Sequence, residues 1–182
     1  QGYYVSPSGN DSNPGTFSLP WKTINKAARS IIPGDIVYIR GGTYYEYVTI
    51  SRSGNASQPI RFEAYPGENV VLDGNNTLPT SEDGLLTLDG DWIIVEGLDV
   101  KTSIYFGIAV FGKHNTLTNV YVHHSSRNGV YLNGDYGILE KSRVWRNSMR
   151  NEYGANPGGS SGVATARDET DGTTEYVVIR KN

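Results

Sequence analysis

Val95-Glu-Gly-Leu98-Asp-Val100, Leu117-Thr-Asn-Val120-Tyr-Val122 and Leu139-Glu-Lys-Ser142-Arg-Val144 are three copies of one pattern, set at a fixed step of 22 residues. A second track keeps the same step: Gly107-Ile-Ala-Val110 recurs as Gly129-Val-Tyr-Leu132. Short β-branched runs with Gly and Asn punctuation at a constant period mark a solenoid, in which each repeat is one coil. Two strands per 22-residue step are too short for helix-containing repeats or propeller blades, so the pattern predicts an all-β fold, a parallel β-helix. Three apolar columns then face inward: Val95, Leu117, Leu139; Leu98, Val120, Ser142; and Val100, Val122, Val144. Alternation along a strand sends the intervening residues outward. They form columns of Asp99, Tyr121, Arg143, of Lys101, His123, Trp145, and of Thr102, His124, Arg146.

Towards the C-terminus the period stretches. Gly162-Val-Ala-Thr165 continues the Gly129 track after 33 residues, which implies an 11-residue insertion around Met149–Gly159. Ile179 continues the Leu139 track after 40 residues, implying 7 more inserted around Arg167–Thr173. Insertions in consecutive turns bring loops together, where function concentrates on rigid scaffolds. The next inward valine would fall at about position 184, so the chain is expected to be the first part of a longer solenoid. An alternative is self-association, with an exposed coil end stacking head to tail.

Towards the N-terminus, strands are predicted at Ile36–Ile39, Tyr47–Ile50, Ile60–Ala64, Val70–Leu72, Leu85–Leu88 and Trp92–Val95. A helix is predicted from Trp21 to Ile32. Ile24, Ala27, Ala28 and Ile31 make one apolar face, and Pro33-Gly34 ends it. A lone amphipathic helix before a solenoid has one natural place for that face, the open end of the first coil. The chain therefore divides into residues 1–34 (strand, loop and capping helix) and residues 35–182 (coils).

With 182 residues, the chain is long enough for a core of its own. A net charge of −3 and a pI near 5.6 speak against a nucleic-acid partner. No apolar run is long enough for a membrane span, and there is no cysteine. Twenty-two Gly and 13 Tyr suit a turn-dense extracellular β protein.

Tyr3-Tyr-Val-Ser-Pro-Ser-Gly-Asn-Asp-Ser-Asn-Pro-Gly15, Pro20-Trp-Lys-Thr-Ile-Asn-Lys-Ala27 and Pro33-Gly-Asp-Ile-Val-Tyr-Ile-Arg-Gly-Gly-Thr-Tyr44 resemble the N-terminal region of pectate-lyase-like proteins. Trp92-Ile-Ile-Val-Glu-Gly-Leu-Asp-Val100 looks like a coil opening these proteins share. The resemblance implies a single-stranded right-handed parallel β-helix, secretion, and an acidic polysaccharide as partner. It also implies β-elimination assisted by Ca²⁺, in which aspartates hold the metal and Lys or Arg takes the proton beside the uronate. In the family-9 pectate lyases an Asp-Gly pair after the insertion supplies a calcium ligand; Ser161 stands at that place here. The remaining ligands and the catalytic lysine would follow Asn182, so no catalytic residue is carried over and this chain alone is expected to be inactive.

From the residues themselves, the candidate carbohydrate-binding set is Tyr121, Arg143, Trp145, Arg146 and His123. Aromatic faces stack on sugars, and Arg pairs with carboxylates. Asp168, Glu169 and Asp171, in Ala166-Arg-Asp-Glu-Thr-Asp-Gly-Thr173, are candidate metal ligands spaced somewhat like a calcium loop. His123 and His124 are adjacent and, on a strand, are expected to point to opposite faces. The competing function is a non-catalytic cell-surface or extracellular solenoid, either structural or glycan-binding.

Overall fold

A computed structural model of the chain describes residues 1–147, 162–165 and 178–180. Strand β1 (Gly2–Val5) precedes a short helix, α1 (Ile24–Ser30). Strands then come in threes: β2 (Ile36–Ile39), β3 (Gly42–Tyr44) and β4 (Val48–Ile50), followed by β5 (Ile60–Ala64), β6 (Val70–Asp73) and β7 (Gly84–Leu88). The 22-residue repeats supply β8 (Ile93–Glu96), β9 (Leu98–Lys101) and β10 (Phe106–Val110), then β11 (Thr116–Thr118), β12 (Tyr121–His123) and β13 (Val130–Leu132). The series continues with β14 (Ile138–Glu140), β15 (Arg143–Trp145), β16 (Val163–Thr165) and β17 (Val178–Arg180).

All pairings between these strands are parallel and join successive coils. Sheet A stacks β1-β2-β5-β8-β11-β14-β17, sheet B stacks β3-β6-β9-β12-β15, and sheet C stacks β4-β7-β10-β13-β16. The fold is thus the expected parallel β-solenoid, but with three strands per coil instead of two. One backbone bend splits the first repeated track into two strands. Gly97, Asn119 and Lys141 occupy that bend in consecutive coils, each left-handed, with φ of 79°, 52° and 52°. Glycine and asparagine take this conformation readily; lysine does so only under the demand of the coil.

The 22-residue register holds residue by residue. Leu117 pairs with Val95 and with Leu139, and Val122 with Val100 and Val144. Val95, Leu98, Val100, Leu117, Val120, Val122, Leu139 and Ser142 are buried, and Val144 packs against the core. The stretched period is equally well placed, because Val130 pairs with Val163 and Leu139 with Ile179. The inserted segments themselves, like Ser161, lie outside the described residues.

Two further columns lock coil to coil where sheet C turns into sheet A. Gly90, Gly112 and Gly134 stand one above another, and a Cβ on any of them would collide with the carbonyl of the coil beneath, at Arg52, Gly90 and Gly112 respectively. Beside them Trp92, His114 and Tyr136 stack ring on ring, with centroids 4.0 and 4.6 Å apart and nearly parallel planes. Buried Asn115 accepts a hydrogen bond from the Ile93 N–H (2.7 Å) and donates to the Gly90 carbonyl (2.9 Å). It thereby ties neighbouring coils together.

The helix is shorter than the predicted Trp21–Ile32. Thr23 caps it, accepting from the Lys26 N–H, while Trp21 instead bridges to Val5 and stacks on Tyr3. Ile24, Ala27, Ala28 and Ile31 are all buried, and α1 packs on β4, with Ile24 lining one apolar space together with Ile39, Val48 and Ile50. Two carboxylates hold its start. Glu46 accepts from the Ile24 and Asn25 N–H groups, and Asp11 from those of Lys22 and Thr23 and from the Thr23 hydroxyl. Burial works to raise the Asp11 carboxyl, yet these hydrogen bonds, with Lys26 nearby, hold it below its ordinary 3.8. A depressed folded value means its stabilisation is complete above the unfolded value and lost as pH falls through the folded one. Asp11→Asn is therefore expected to lower the melting temperature at neutral pH and to flatten its decline below pH 3.8. Parallel melting curves for the two proteins across that range would exclude the role.

Candidate functional site

The outward columns of sheet B meet as the repeat requires: Asp99, Tyr121 and Arg143 in one row, Lys101, His123 and Trp145 in the next. Thr102, His124 and Arg146 follow just past the strand ends, all left-handed, with φ of 54°, 57° and 49°. The five candidate carbohydrate residues are thus brought onto one face.

Among the described residues, charge on this face is paired on the coil of β9 and without an ion-pair partner on the coil of β15. Lys101 Nζ lies 3.3 Å from Asp73 Oδ2, and the Thr102 hydroxyl donates to Asp73 Oδ1. Burial would raise the Asp73 carboxyl, but hydrogen bonds from Thr102, Asn75 and Lys101 leave it below its usual range. Neither Arg143 nor Arg146 has an ion-pair partner among the described residues. Tyr121 and Trp145 stand beside them, both more than one third exposed.

The histidines depart from the expectation of opposite faces. Strand β12 ends at His123, and the left-handed turn at His124 swings its ring back, so the two Nδ1 atoms lie 2.5 Å apart. On its other side His123 Nε2 sits 3.0 Å from Asp99 Oδ1. The contact is an ion-pair distance, and this buried oxygen has no hydrogen bond among the described residues. Burial, then the nearness of His123, Arg146 and Lys101, depresses the His124 pKa.

Aromatic rings on this face also stack on one another. Trp145 lies on His123, with centroids 4.5 Å apart and planes 23° apart, so one indole face is occupied by protein. Along a ladder, rings cover each other; edges, the terminal face and polar atoms remain for a ligand. A cavity of about 570 Å³ opens beside β15, lined by Tyr121, Ser142, Arg143, Val144, Trp145 and Val163.

Asp168, Glu169 and Asp171 lie outside the described residues. Among the described residues, no group of three His, Asp or Glu side chains could hold a metal. Asp73 and Asp99 are already engaged with Lys101, Thr102 and His123, a donor set that does not fit calcium. Sequence reading also missed two clusters. One is the Trp92, His114, Tyr136 stack, whose members follow the same 22-residue step. The other lies on sheet C, where Phe106 stacks on Tyr131 at 4.8 Å and Arg127 covers Tyr105 while pairing with Glu82 at 3.2 Å.

Three parallel sheets winding together define the β-helix class of protein. The chain belongs to the Pel9A-like right-handed β-helix family, whose profile, described as "Pel9A-like, right handed beta helix region", matches residues 3–176. It is 38% identical over 156 residues to pectate lyase L of Paenibacillus polymyxa, covering 82% of this chain and 34% of that protein. It is 34% identical over 125 residues to the uncharacterized protein YwoF of Bacillus subtilis, covering 68% of this chain and 26% of that one. Among solved structures, pectate lyase Pel9A aligns with a TM-score of 0.69 at 30% identity, over 80% of this chain and 40% of that one. A rhamnogalacturonan lyase aligns over 100% of this chain and 50% of its own, with a TM-score of 0.78 at 21% identity, a likeness of fold. The chain spans 34% and 26% of the length of the two curated relatives just named.

Proposed function

We propose that this chain is the β-helix part of a secreted, carbohydrate-active protein that binds an acidic polysaccharide on the outer face of sheet B. The observation that carries the reading is a pair of cations with no ion-pair partner among the described residues, Arg143 and Arg146, beside exposed Tyr121 and Trp145 on one face. A uronate chain offers a carboxylate on every sugar, and Arg binds carboxylates through charge-assisted hydrogen bonds. Pectate lyases among the relatives support the same substrate class. The test is affinity electrophoresis in polygalacturonate gels. Each of Arg143→Ala and Arg146→Ala is expected to weaken binding roughly 10- to 100-fold, since a charged hydrogen bond contributes about 1.5–3 kcal/mol. Added salt is expected to weaken it further. Wild-type mobility of both variants sinks the assignment.

Elimination chemistry, if the whole protein performs it, rests on calcium and on groups beyond those described. Asp168, Glu169 and Asp171 are the metal candidates within this sequence. Calcium bound by the folded state alone raises the melting temperature, and Asp168→Asn is expected to cancel that rise. The chain alone is expected to release no unsaturated uronate product, followed by its ultraviolet absorbance. Robust turnover would relocate the catalytic groups to residues 1–182.

Residues 1–34 are proposed as a cap on the coils that follow. The outer edge of β1 is engaged: Tyr4 N–H donates to the Gly15 carbonyl, and Trp21 N–H to that of Tyr4. A covered edge with a helix on β4 argues against the alternative filament, in which coil ends stack head to tail.

A further inference from the structure

The histidine pair beside Arg146 has one proton position left open, and its place can be worked out from geometry. His123 Nε2 faces the Asp99 carboxylate at 3.0 Å; a bare lone pair there would repel the oxygen, so this nitrogen carries hydrogen. The two Nδ1 atoms at 2.5 Å have room for one proton between them, and in the neutral pair it belongs to His124 Nδ1, because neutral His123 already carries its single hydrogen on Nε2. In the neutral pair these two sites account for both protons, and His124 Nε2 is bare. It has no hydrogen-bond partner among the described residues. Adding one proton changes neither of the other contacts. It therefore arrives at His124 Nε2, the one ring nitrogen of the pair that neither carries a hydrogen nor accepts one.

We propose that His124 Nε2 is a carboxylate-contacting atom of the sheet B face, protonated when a polyuronate is bound and bare when it is not. The proposal rests on the acidic-polysaccharide reading above and adds a third group to Arg143 and Arg146. The groups facing the imidazole pair are known from each packed strand. Strand β9 contributes Asp99 and Lys101, the latter tied to Asp73 of β6. Strand β12 contributes Tyr121 and His123, and β15 contributes Arg143 and, just beyond it, Arg146, whose carbonyl accepts the His124 N–H at 2.9 Å. Burial, His123, Arg146 and Lys101 oppose a further positive charge on His124 in the free protein and depress its pKa. A carboxylate seated among them removes that opposition, so binding draws in a proton.

Two measurements test this. Polygalacturonate titrations by calorimetry between about pH 5 and 8, in buffers of different ionisation enthalpy, are expected to show uptake of up to about one proton per site. Affinity is expected to fall by as much as tenfold per pH unit on the alkaline side. His124→Asn tolerates the left-handed backbone and is expected to retain binding through the arginines while losing proton uptake and pH slope. The second measurement needs no ligand: nitrogen-15 imidazole spectra at neutral pH are expected to show an unprotonated Nε2 on His124 and a protonated Nε2 on His123. The opposite tautomers overturn the proposal. Binding without proton uptake, or uptake that survives in His124→Asn, overturns it while leaving the polysaccharide reading intact. No binding at any pH removes both, even where the tautomers are as assigned.

Discussion

Gly112→Ala is expected to lower the melting temperature by roughly 6–12 °C, a loss of about 3 kcal/mol or more. The added methyl carbon would land on the Gly90 carbonyl, and the Gly134 position above repeats the same close approach onto Gly112. Relief cannot come from a side chain swinging aside, because the obstacle is backbone already held in the coil; the Gly112 N–H itself donates to the Leu88 carbonyl at 3.0 Å. Coil spacing would have to widen, loosening the parallel pairing of β7 with β10 and the Asn115 bridge beside it. Gly137→Ala is the control, since a Cβ there meets nothing closer than 3.7 Å and φ is not positive. If both variants melt alike, the glycine column is not what sets the coil spacing.

The same column shows how far the fold could be read in advance. A period of 22 residues sufficed to place inward and outward rows correctly, and even to carry register across two insertions, because strand pairing translates sequence distance directly into stacking. Strand number was less legible. The bend at Gly97, Asn119 and Lys141 depends on backbone handedness, and a lysine in the left-handed region gives no compositional warning. Strand β3 was missed because Gly42-Thr-Tyr44 is three residues beginning with glycine, a poor strand by propensity. The helix start was misjudged because Trp21 fits an apolar helical face yet is claimed by β1 and Tyr3.

The candidate site was legible in outline. Period alone gathered Tyr121, His123, Arg143 and Trp145 on one face; what it could not report is which charges were already neutralised. Lys101 looks like the equal of Arg143 in sequence, but Asp73 holds it. His124 was undervalued because alternation was extended one residue past the end of β12. Strand logic stops where the backbone turns, and the turn is what brings the two imidazoles together.

Ile31→Asp is expected to destabilise the protein by roughly 3–5 kcal/mol, lowering the melting temperature by roughly 6–20 °C. Ile31 is wholly buried at the end of α1, where its N–H donates to the Ala27 carbonyl at 3.2 Å. A carboxylate at that position would have to stay charged without a partner, take up a proton, or pull the helix off the coil. The third outcome uncovers β4, the outermost strand of sheet C, and the variant is then expected to self-associate on size exclusion as concentration rises. Ile31→Val separates charge from packing, with an expected cost of about 0.5–1.5 kcal/mol and no change in elution. A wild-type melting temperature for Ile31→Asp would mean that the helix face contributes nothing to closing the first coil. Destabilisation without self-association would mean that the helix supports the core but is not what keeps the edge of β4 from pairing.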